Sequence, residues 1–91
     1  MFQVVVLHHA VLEHRAAFAA FMHRVVEAVG DAPGLIEFSA WDAQDGPLVA
    51  VSRWESAEAF RAAIPTIMSL GDERRPEWTA RDDQVLMSVP A

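Results

Sequence analysis

The sequence predicts one small α+β domain, in which two helices cover one face of a four-stranded antiparallel sheet. Three observations favour this class. Runs rich in β-branched residues alternate with two stretches of helical periodicity, their order is strand–helix–strand–strand–helix–strand, and 91 residues leave room for one core only. This order at this length is typical of the ferredoxin-like βαββαβ arrangement, which leaves the other sheet face free of helices. We therefore assign residues 1–91 to a single domain.

The amino-acid composition indicates which kinds of molecule the protein is expected to bind. Hydrophobic residues make up 53% of the chain, above the roughly 45–50% usual for a soluble domain, so apolar surface is expected to face a ligand or partner. The formal net charge of −6 argues against nucleic acid and anionic membrane as partners. Cysteine is absent, which excludes disulfides and thiolate sites, and no apolar run approaches the roughly 18 residues of a membrane span. We expect a cytoplasmic protein.

The first strand is predicted over Phe2–Val11, a run rich in β-branched residues. Both of its faces are largely apolar, so each needs a cover. A helix layer provides one cover, and a second copy of the chain is expected to provide the other. The first helix is predicted over His14–Val29, where apolar residues recur at helical spacing, and Pro33 and Gly34 follow as stop signals. The doubly apolar first strand therefore predicts a homodimer.

Two further strands are predicted over Leu35–Trp41 and Leu48–Trp54, joined by a six-residue turn segment. Side-chain alternation across this turn defines two hairpin faces. The mixed polar and aromatic face is predicted to carry Glu37, Ser39, Trp41, Ala50, Ser52 and Trp54. The apolar face is predicted to carry Ile36, Phe38, Ala40, Val49 and Val51. We interpret the mixed face as a pocket lining and the apolar face as the dimer contact, while the opposite assignment remains open.

The remaining elements follow from local signals. Ser56 is suited to cap a second helix, inside which Pro65 is expected to produce a kink or a break. The charged stretch Gly71–Asp82 is predicted to be irregular or a short helical turn, and Gln84–Pro90 is predicted as the last strand.

Two motifs carry a family resemblance: Pro33-Gly34-Leu35 before the second strand, and Trp54-Glu-Ser56-Ala-Glu-Ala59-Phe60 at the start of the second helix. Over nearly its whole length the chain resembles the antibiotic biosynthesis monooxygenase family of dimeric α+β barrels. The resemblance implies a small apolar or aromatic ligand between sheet and helices, with Trp54 in the pocket. The family includes oxygenases that need no cofactor, haem-degrading members and members with no known activity. Haem-degrading relatives use an asparagine and a second-helix histidine. This chain has no asparagine and no histidine after His23, so haem degradation is not expected.

His8 and His9 are the candidate catalytic bases. Adjacent strand residues point to opposite faces, so one imidazole is directed towards the helices whichever way the sheet faces. Histidine titrates near neutrality and suits removal of a phenolic or enolic proton, although a structural histidine is the alternative. Glu37 is interpreted as an acid or base, or as an ion-pair partner of Arg53 or Arg81. No histidine pair has a metal-ligand spacing, and we predict no metal site.

The substrate-binding candidates combine the mixed hairpin face with apolar residues from the helices and the charged stretch. They are Phe21, Met22, Glu37, Ser39, Trp41, Ser52, Trp54, Ile64, Met68 and Trp78. Trp54 and Trp41 are expected to stack on substrate rings, and Ser39 or Ser52 to hold an oxygen. Trp78 either closes the pocket mouth or covers the edge of the core.

The functional hypothesis is a cofactor-independent monooxygenase acting on a small electron-rich aromatic, such as a phenol, a hydroquinone or a polyketide-type compound. In this chemistry the deprotonated substrate itself reduces oxygen, and the protein removes the proton, holds the carbanion and excludes water. One alternative is a ligand-binding or accessory dimer without catalysis. Another is an isomerase or cyclase that uses the same base without oxygen.

Overall fold

The computed structural model describes residues 1–91 and has the predicted order of elements. The strands are β1 (Phe2–His8), β2 (Leu35–Asp42), β3 (Leu48–Trp54) and β4 (Gln84–Ser88). The helices are α1 (Arg15–Val29) and α2 (Ala57–Ser69), with short 3₁₀ turns at Leu12–His14, Gly71–Glu73 and Pro76–Trp78. The strands form one antiparallel sheet in the order β2-β3-β1-β4. This order confirms the ferredoxin-like α+β class. Neither helix has the length and hydrophobicity that crossing a bilayer requires.

Four elements differ from the prediction in their extent: β2 reaches Asp42, β4 ends at Ser88, α1 begins at Arg15, and β1 is shortened most. β1 ends at His8 and not at Val11, because the Ala10 amide turns back to donate to the His8 carbonyl at 2.9 Å. α2 runs through Pro65 without a break. Proline removes the hydrogen bond to the carbonyl of Arg61, but both residues are exposed, so water can satisfy that carbonyl.

The two sides of the sheet differ in cover. Antiparallel partners share a side, and both helices pack on the side that holds the buried strand residues, which we call the helix side. Its buried strand residues are Val4, Leu48, Ser52 and Trp54. The other side, the open side, has no helix over it. It carries Gln3, Val5 and Leu7 of β1, Glu37, Ser39 and Trp41 of β2, Val49, Val51 and Arg53 of β3, and Gln84, Leu86 and Ser88 of β4.

The predicted hairpin faces are wrong by one residue. β2 continues to Asp42, which pairs with Leu48, so five residues and not six form the connection. Because side chains alternate along a strand, a loop shorter by one residue changes which residues of β2 and β3 point to the same side of the sheet. The open side therefore carries Glu37, Ser39 and Trp41 of β2 with Val49, Val51 and Arg53 of β3. The helix side carries Phe38 and Ala40 of β2 with Ala50, Ser52 and Trp54 of β3. Arg15 at the start of α1 forms an ion pair with Asp42 and thereby ties the longer β2 to the helix layer.

The core consists of two groups of side chains on the helix side. The α1 cluster contains Phe18, Phe21, Met22, Val25 and Leu48. The α2 cluster contains Val4, Trp54 and Ala63. Phe38 packs against both clusters, so it contributes to the core and not to the open side where the sequence placed it. The α1 cluster lies at the His8 end of β1, because Leu48 pairs with His8, and the α2 cluster lies at the Phe2 end.

Gly34 has a structural role in the loop between α1 and β2. Its φ of 81° lies in the left-handed region, where a side chain is strained. A Cβ added there would lie 2.6 Å from the Cβ of Ala59 in α2, which is closer than two carbon atoms can approach. The Pro33-Gly34-Leu35 motif therefore allows α2 to pack closely against the loop before β2.

Gly34→Ala is expected to lower the free energy of unfolding by at least about 1–2 kcal/mol, the usual cost of a left-handed conformation for a residue with a Cβ. Gly71→Ala is the matched control, since an added Cβ there meets nothing within 4 Å. The control should change stability by no more than about 0.5 kcal/mol. Chemical denaturation of both variants measures the difference, and equal midpoints would refute the role of Gly34.

Candidate functional site

His8 points to the helix side at the end of β1. Its ring centroid lies 4.7 Å from that of Phe18 in α1, and its side chain is only 13% exposed. Burial lowers the pKa of His8 from its ordinary 6.5, and the neighbouring Asp83 opposes this shift only in part. The imidazole is therefore neutral at pH 7 and has a lone pair available to accept a proton.

Asp83 is the charged partner of His8. It precedes β4, and its Oδ1 lies 3.0 Å from Nδ1 of His8, although the alignment is not that of a full hydrogen bond. Arg74 donates two hydrogen bonds to the same carboxylate, at 2.6 and 2.9 Å. Burial alone would raise the pKa of Asp83, but Arg74 and His8 together outweigh burial and lower it. The carboxylate is thus ionised at neutral pH.

Neither Asp83 nor Arg74 is among the site residues predicted from the sequence. Strand pairing offers a signal for Asp83, because Gln84 pairs with Leu7 and the preceding residue must then lie beside His8. Arg74 has no comparable signal. It lies just after a 3₁₀ turn, and only the folded path of the chain brings it to Asp83.

Phe18 is the aromatic ring that contacts His8, and two further aromatic side chains pack against Phe18. Phe18 contacts Phe21 edge-on with centroids 5.9 Å apart, and Trp78 lies 5.9 Å from Phe18 and 6.2 Å from Phe21. Trp78 therefore covers the edge of the α1 cluster, as one of the two interpretations predicted. We call the following group the His8 site: His8, Phe18, Phe21, Arg74, Trp78 and Asp83. Met22, another predicted binding residue, is buried in the same cluster.

His9 lies outside this site. It is the first residue after β1, and its Nε2 lies 2.8 Å from Oε1 of Gln84, which belongs to the open side. Its Nδ1 lies 3.4 Å from a guanidinium nitrogen of Arg81. Both ring nitrogens therefore have polar partners near the protein surface, which is typical of a structural histidine at the end of a strand.

Trp54 is on the same side of the sheet as His8 but at the opposite end. It pairs with Phe2, six residues before His8, which corresponds to about 20 Å along the strand. Trp54 is completely buried, packs edge-on against Phe60 at 5.7 Å, and has no hydrogen-bond partner for its Nε1. Ser52 is buried between these ends, opposite Val4. A small aromatic ligand cannot contact both Trp54 and His8.

Three predicted binding residues form a polar row on the open side. Nε1 of Trp41 donates to Oγ of Ser39 at 2.9 Å, and Oγ of Ser39 donates to Oε1 of Glu37 at 3.4 Å. Glu37 in turn lies 3.9 Å from Nη1 of Arg53. This row is separated from the helix side by the sheet, so it does not contribute to a pocket around His8 or Trp54.

Ile64 and Met68 of α2 are exposed, by 36% and 69% of their surface, and belong to neither core cluster. α2 contains no histidine. No group of three histidine and acidic side chains is close enough together to hold a metal ion.

The surface carries five cavities, and no predicted site residue lines either of the following two. One, of about 290 Å³, is lined by Met1, Gln3, Arg53, Ser88, Val89 and Pro90. The other, of about 260 Å³, lies between the end of α1 and α2. The His8 site is covered in this conformation, since Trp78 and Arg74 lie over Phe18.

Comparison with known proteins gives one family. The family model for antibiotic biosynthesis monooxygenase matches residues 1–63, which run from β1 into α2. No curated protein sequence matches the chain.

Several solved structures have the same fold at low sequence identity. Rv0793 from Mycobacterium tuberculosis superposes with a TM-score of 0.85 at 18% identity, covering 99% of this chain and 94% of that one. An antibiotic biosynthesis monooxygenase superposes with a TM-score of 0.84 at 16% identity, covering 100% and 99%. A MhuD variant with two manganese protoporphyrin IX molecules bound per active site superposes with a TM-score of 0.75 at 19% identity, covering 96% and 91%. At these identities the similarity shows the fold.

Trp54→Ala tests whether the indole is a core or a pocket residue. Complete burial predicts a loss of about 3–5 kcal/mol in the free energy of unfolding, as for other large aromatic truncations in cores. Trp54→Phe should lose much less, because it keeps a ring and removes an N–H that has no partner. Thermal and chemical denaturation measure both. A Trp54→Ala protein that melts like the wild type but no longer binds aromatic ligands would instead support the pocket interpretation.

Proposed function

We propose, since the chain belongs to the antibiotic biosynthesis monooxygenase family, that it is a cofactor-independent monooxygenase-like protein for a small aromatic substrate. The substrate class is a phenol, a hydroquinone or a polyketide-type compound with an acidic ring hydroxyl. The observation that carries this proposal is His8, a largely buried imidazole with a lowered pKa that lies against the ring of Phe18 on the helix side of the sheet.

His8 is the general base in this proposal. Nε2 takes the proton of the ring hydroxyl, and the resulting anion passes one electron to molecular oxygen. Recombination of the two radicals forms a carbon–oxygen bond at the ring. The peroxide anion formed in this way takes the proton back from His8. Cleavage of its O–O bond, with loss of the hydrogen on the same ring carbon, releases water and leaves a quinone. One oxygen atom enters the product and the other leaves as water, so the substrate supplies all the electrons.

The aromatic wall supports a planar substrate beside this base. Phe18, Phe21 and Trp78 present ring faces and edges within one cluster, and aromatic pairs prefer such offset or edge-on contacts. Their apolar surface excludes water from a reactive anion. Trp78 also covers the site, so its segment is the part that must move to admit the substrate.

Binding without catalysis is the second candidate function. It is favoured by the distribution of the predicted polar groups, because Ser39 lies across the sheet and Ser52 lies opposite Val4 and not His8. The His8 site therefore lacks a hydroxyl to hold a substrate oxygen. An isomerase or cyclase that uses His8 without oxygen is distinguished from the oxygenase by the absence of oxygen uptake.

The open side of the sheet is the surface that we propose as the contact of a homodimer. Val5, Val51 and Leu86 form an apolar line across three adjacent strands, and Leu86 is 58% exposed. The edge strand β4 also exposes half or more of Val85 and Met87 on the helix side. An edge strand with apolar residues exposed on both sides invites pairing or packing by another chain. A second copy of this sheet is the partner that we propose.

Val51→Arg is expected to convert the dimer to a monomer or to unfold it, because it places a charge in the centre of a contact that should bury over about 1,000 Å². Leu12→Arg is the matched control, since Leu12 is 89% exposed and lies in the 3₁₀ turn before α1. Sedimentation at micromolar concentration measures the assembly. A wild-type chain that sediments as a folded monomer would contradict the proposal.

His8→Gln and His9→Gln test the catalytic role. Gln keeps hydrogen bonding but cannot act as a base, so His8→Gln should lose the rate factor of about 10²–10⁴ that a general base supplies. His9→Gln should retain turnover, because His9 contacts Gln84 and Arg81 and not the aromatic cluster. Oxygen uptake with a panel of hydroquinones and phenols measures both variants.

Full activity in both variants would exclude histidine as the base. Ligand binding by the wild type without oxygen consumption or product formation would favour the non-catalytic function. Turnover without oxygen uptake would favour the isomerase or cyclase.

A further inference from the structure

The segment between α2 and β4 completes the His8 site. We call residues 71–83 the strap. The strap is attached at several points: Val11 donates to the carbonyl of Trp78 and Ala80 donates to the carbonyl of His9, each at 2.9 Å. Arg24 of α1 forms an ion pair with Glu73 at 2.6 Å. These contacts hold the strap along the α1 cluster and beside the end of β1.

We infer that Asp83 and Arg74, both in the strap, are positioning residues for His8: Asp83 orients the imidazole through Nδ1, and Arg74 holds Asp83. The inference deepens the proposed function and rests on it for the role of His8 as a base. These residues lie beyond the segment 1–63 that matches the family model, so the match does not assign them a role.

The geometry around the ring supports this assignment. Nδ1 is buried, and Asp83 Oδ1 lies 3.0 Å from it. A carboxylate accepts but does not donate hydrogen bonds, so it favours the tautomer with the proton on Nδ1 and the lone pair on Nε2. The contact is imperfectly aligned, as catalytic hydrogen bonds often are before substrate binds. The carboxylate thereby selects the ring nitrogen that can accept the substrate proton.

Arg74 keeps the carboxylate in the required state. Its two hydrogen bonds engage both oxygens of Asp83, and its guanidinium lies 4.9 Å from the centre of the Phe18 ring. Such a bidentate pair restricts the orientation of the carboxylate as well as stabilising its charge. Arg74 therefore links the position of Asp83 to the docking of the strap on the α1 cluster.

Three neighbouring charged or titratable groups affect the pKa of His8, and they do not all shift it in the same direction. Asp83 raises its pKa, while Arg74 and His9 lower it, in addition to the lowering by burial. Asp83→Asn should therefore lower the pKa of His8 further. Arg74→Met should raise it, because the cation is removed while the carboxylate remains. Shifts of opposite sign would show that both charges act on His8, whereas the tautomer of the ring tests the positioning role.

Nitrogen-15 NMR of the histidine side chains in the full-length protein is the decisive measurement, with His8 assigned by the signals missing from His8→Gln. In the wild type, we expect His8 to carry its proton on Nδ1. In Asp83→Asn this tautomer preference should weaken and the pKa should fall, and in Arg74→Met the pKa should rise. Arg24→Met is the matched control, because it breaks the strap contact with Glu73 and should leave the tautomer unchanged.

If His8 of the wild type carries its proton on Nε2, the inference is refuted. This measurement needs no variant, so it remains valid even if a mutant protein misfolds. An unchanged tautomer and pKa in a folded Asp83→Asn protein would overturn it as well. Either result can occur while His8→Gln abolishes turnover, in which case the proposed function stands and the positioning role fails.

A kinetic measurement adds the second half of the test. Asp83→Asn should lower kcat by part of the factor of about 10²–10⁴ attributed to the base, with KM little changed. The pH dependence of kcat should follow the pKa shift found by NMR. If no substrate is turned over but the tautomer and both pKa shifts are as expected, the positioning of His8 is supported and the oxygenase proposal fails.

Discussion

The central position of β1 is the constraint on which the rest of the structure depends. β1 pairs with β3 on one side and with β4 on the other, both antiparallel. Its last residue therefore meets the start of β3 at Leu48 and the residue before β4, Asp83. Asp83, which follows His8 by more than 70 residues in the chain, thus lies beside it at one end of the sheet. The His8 site exists at this end of the sheet because β1 pairs with both β3 and β4.

The length of the sheet separates two regions that the sequence treated as one pocket. Helix α1 covers the His8 end and α2 covers the Trp54 end, and Phe38 connects their clusters. At about 3.3 Å per residue, a seven-residue strand is longer than a single aromatic ring can bridge. The proposed chemistry therefore belongs with Phe18, and Trp54 serves to fill the core under α2.

The charged pair near His8 is partly buried, and its position suits a functional as well as a stabilising role. Removing an ion pair from water is unfavourable unless geometry and hydrogen bonds compensate, and an apolar replacement is often at least as stable. Arg74 and Asp83 are only partly buried, with side chains 29% and 21% exposed, which reduces this penalty. They form a bidentate pair directly against a buried imidazole, and perturbed titratable groups in such surroundings are common at functional sites.

The sequence by itself determined the element order, the one-sided helix cover and the family, because alternation, periodicity, caps and glycine positions are local properties. It also predicted that the side chains of His8 and His9 point to opposite faces of the sheet, because neighbouring side chains alternate along a strand. Only the tertiary structure decided the hairpin sides, because one further residue in β2 changed the loop from six residues to five and moved Trp41 to the open side. It also decided that Asp83 and Arg74 meet His8, because that contact depends on where β4 pairs and how the strap folds back over α1.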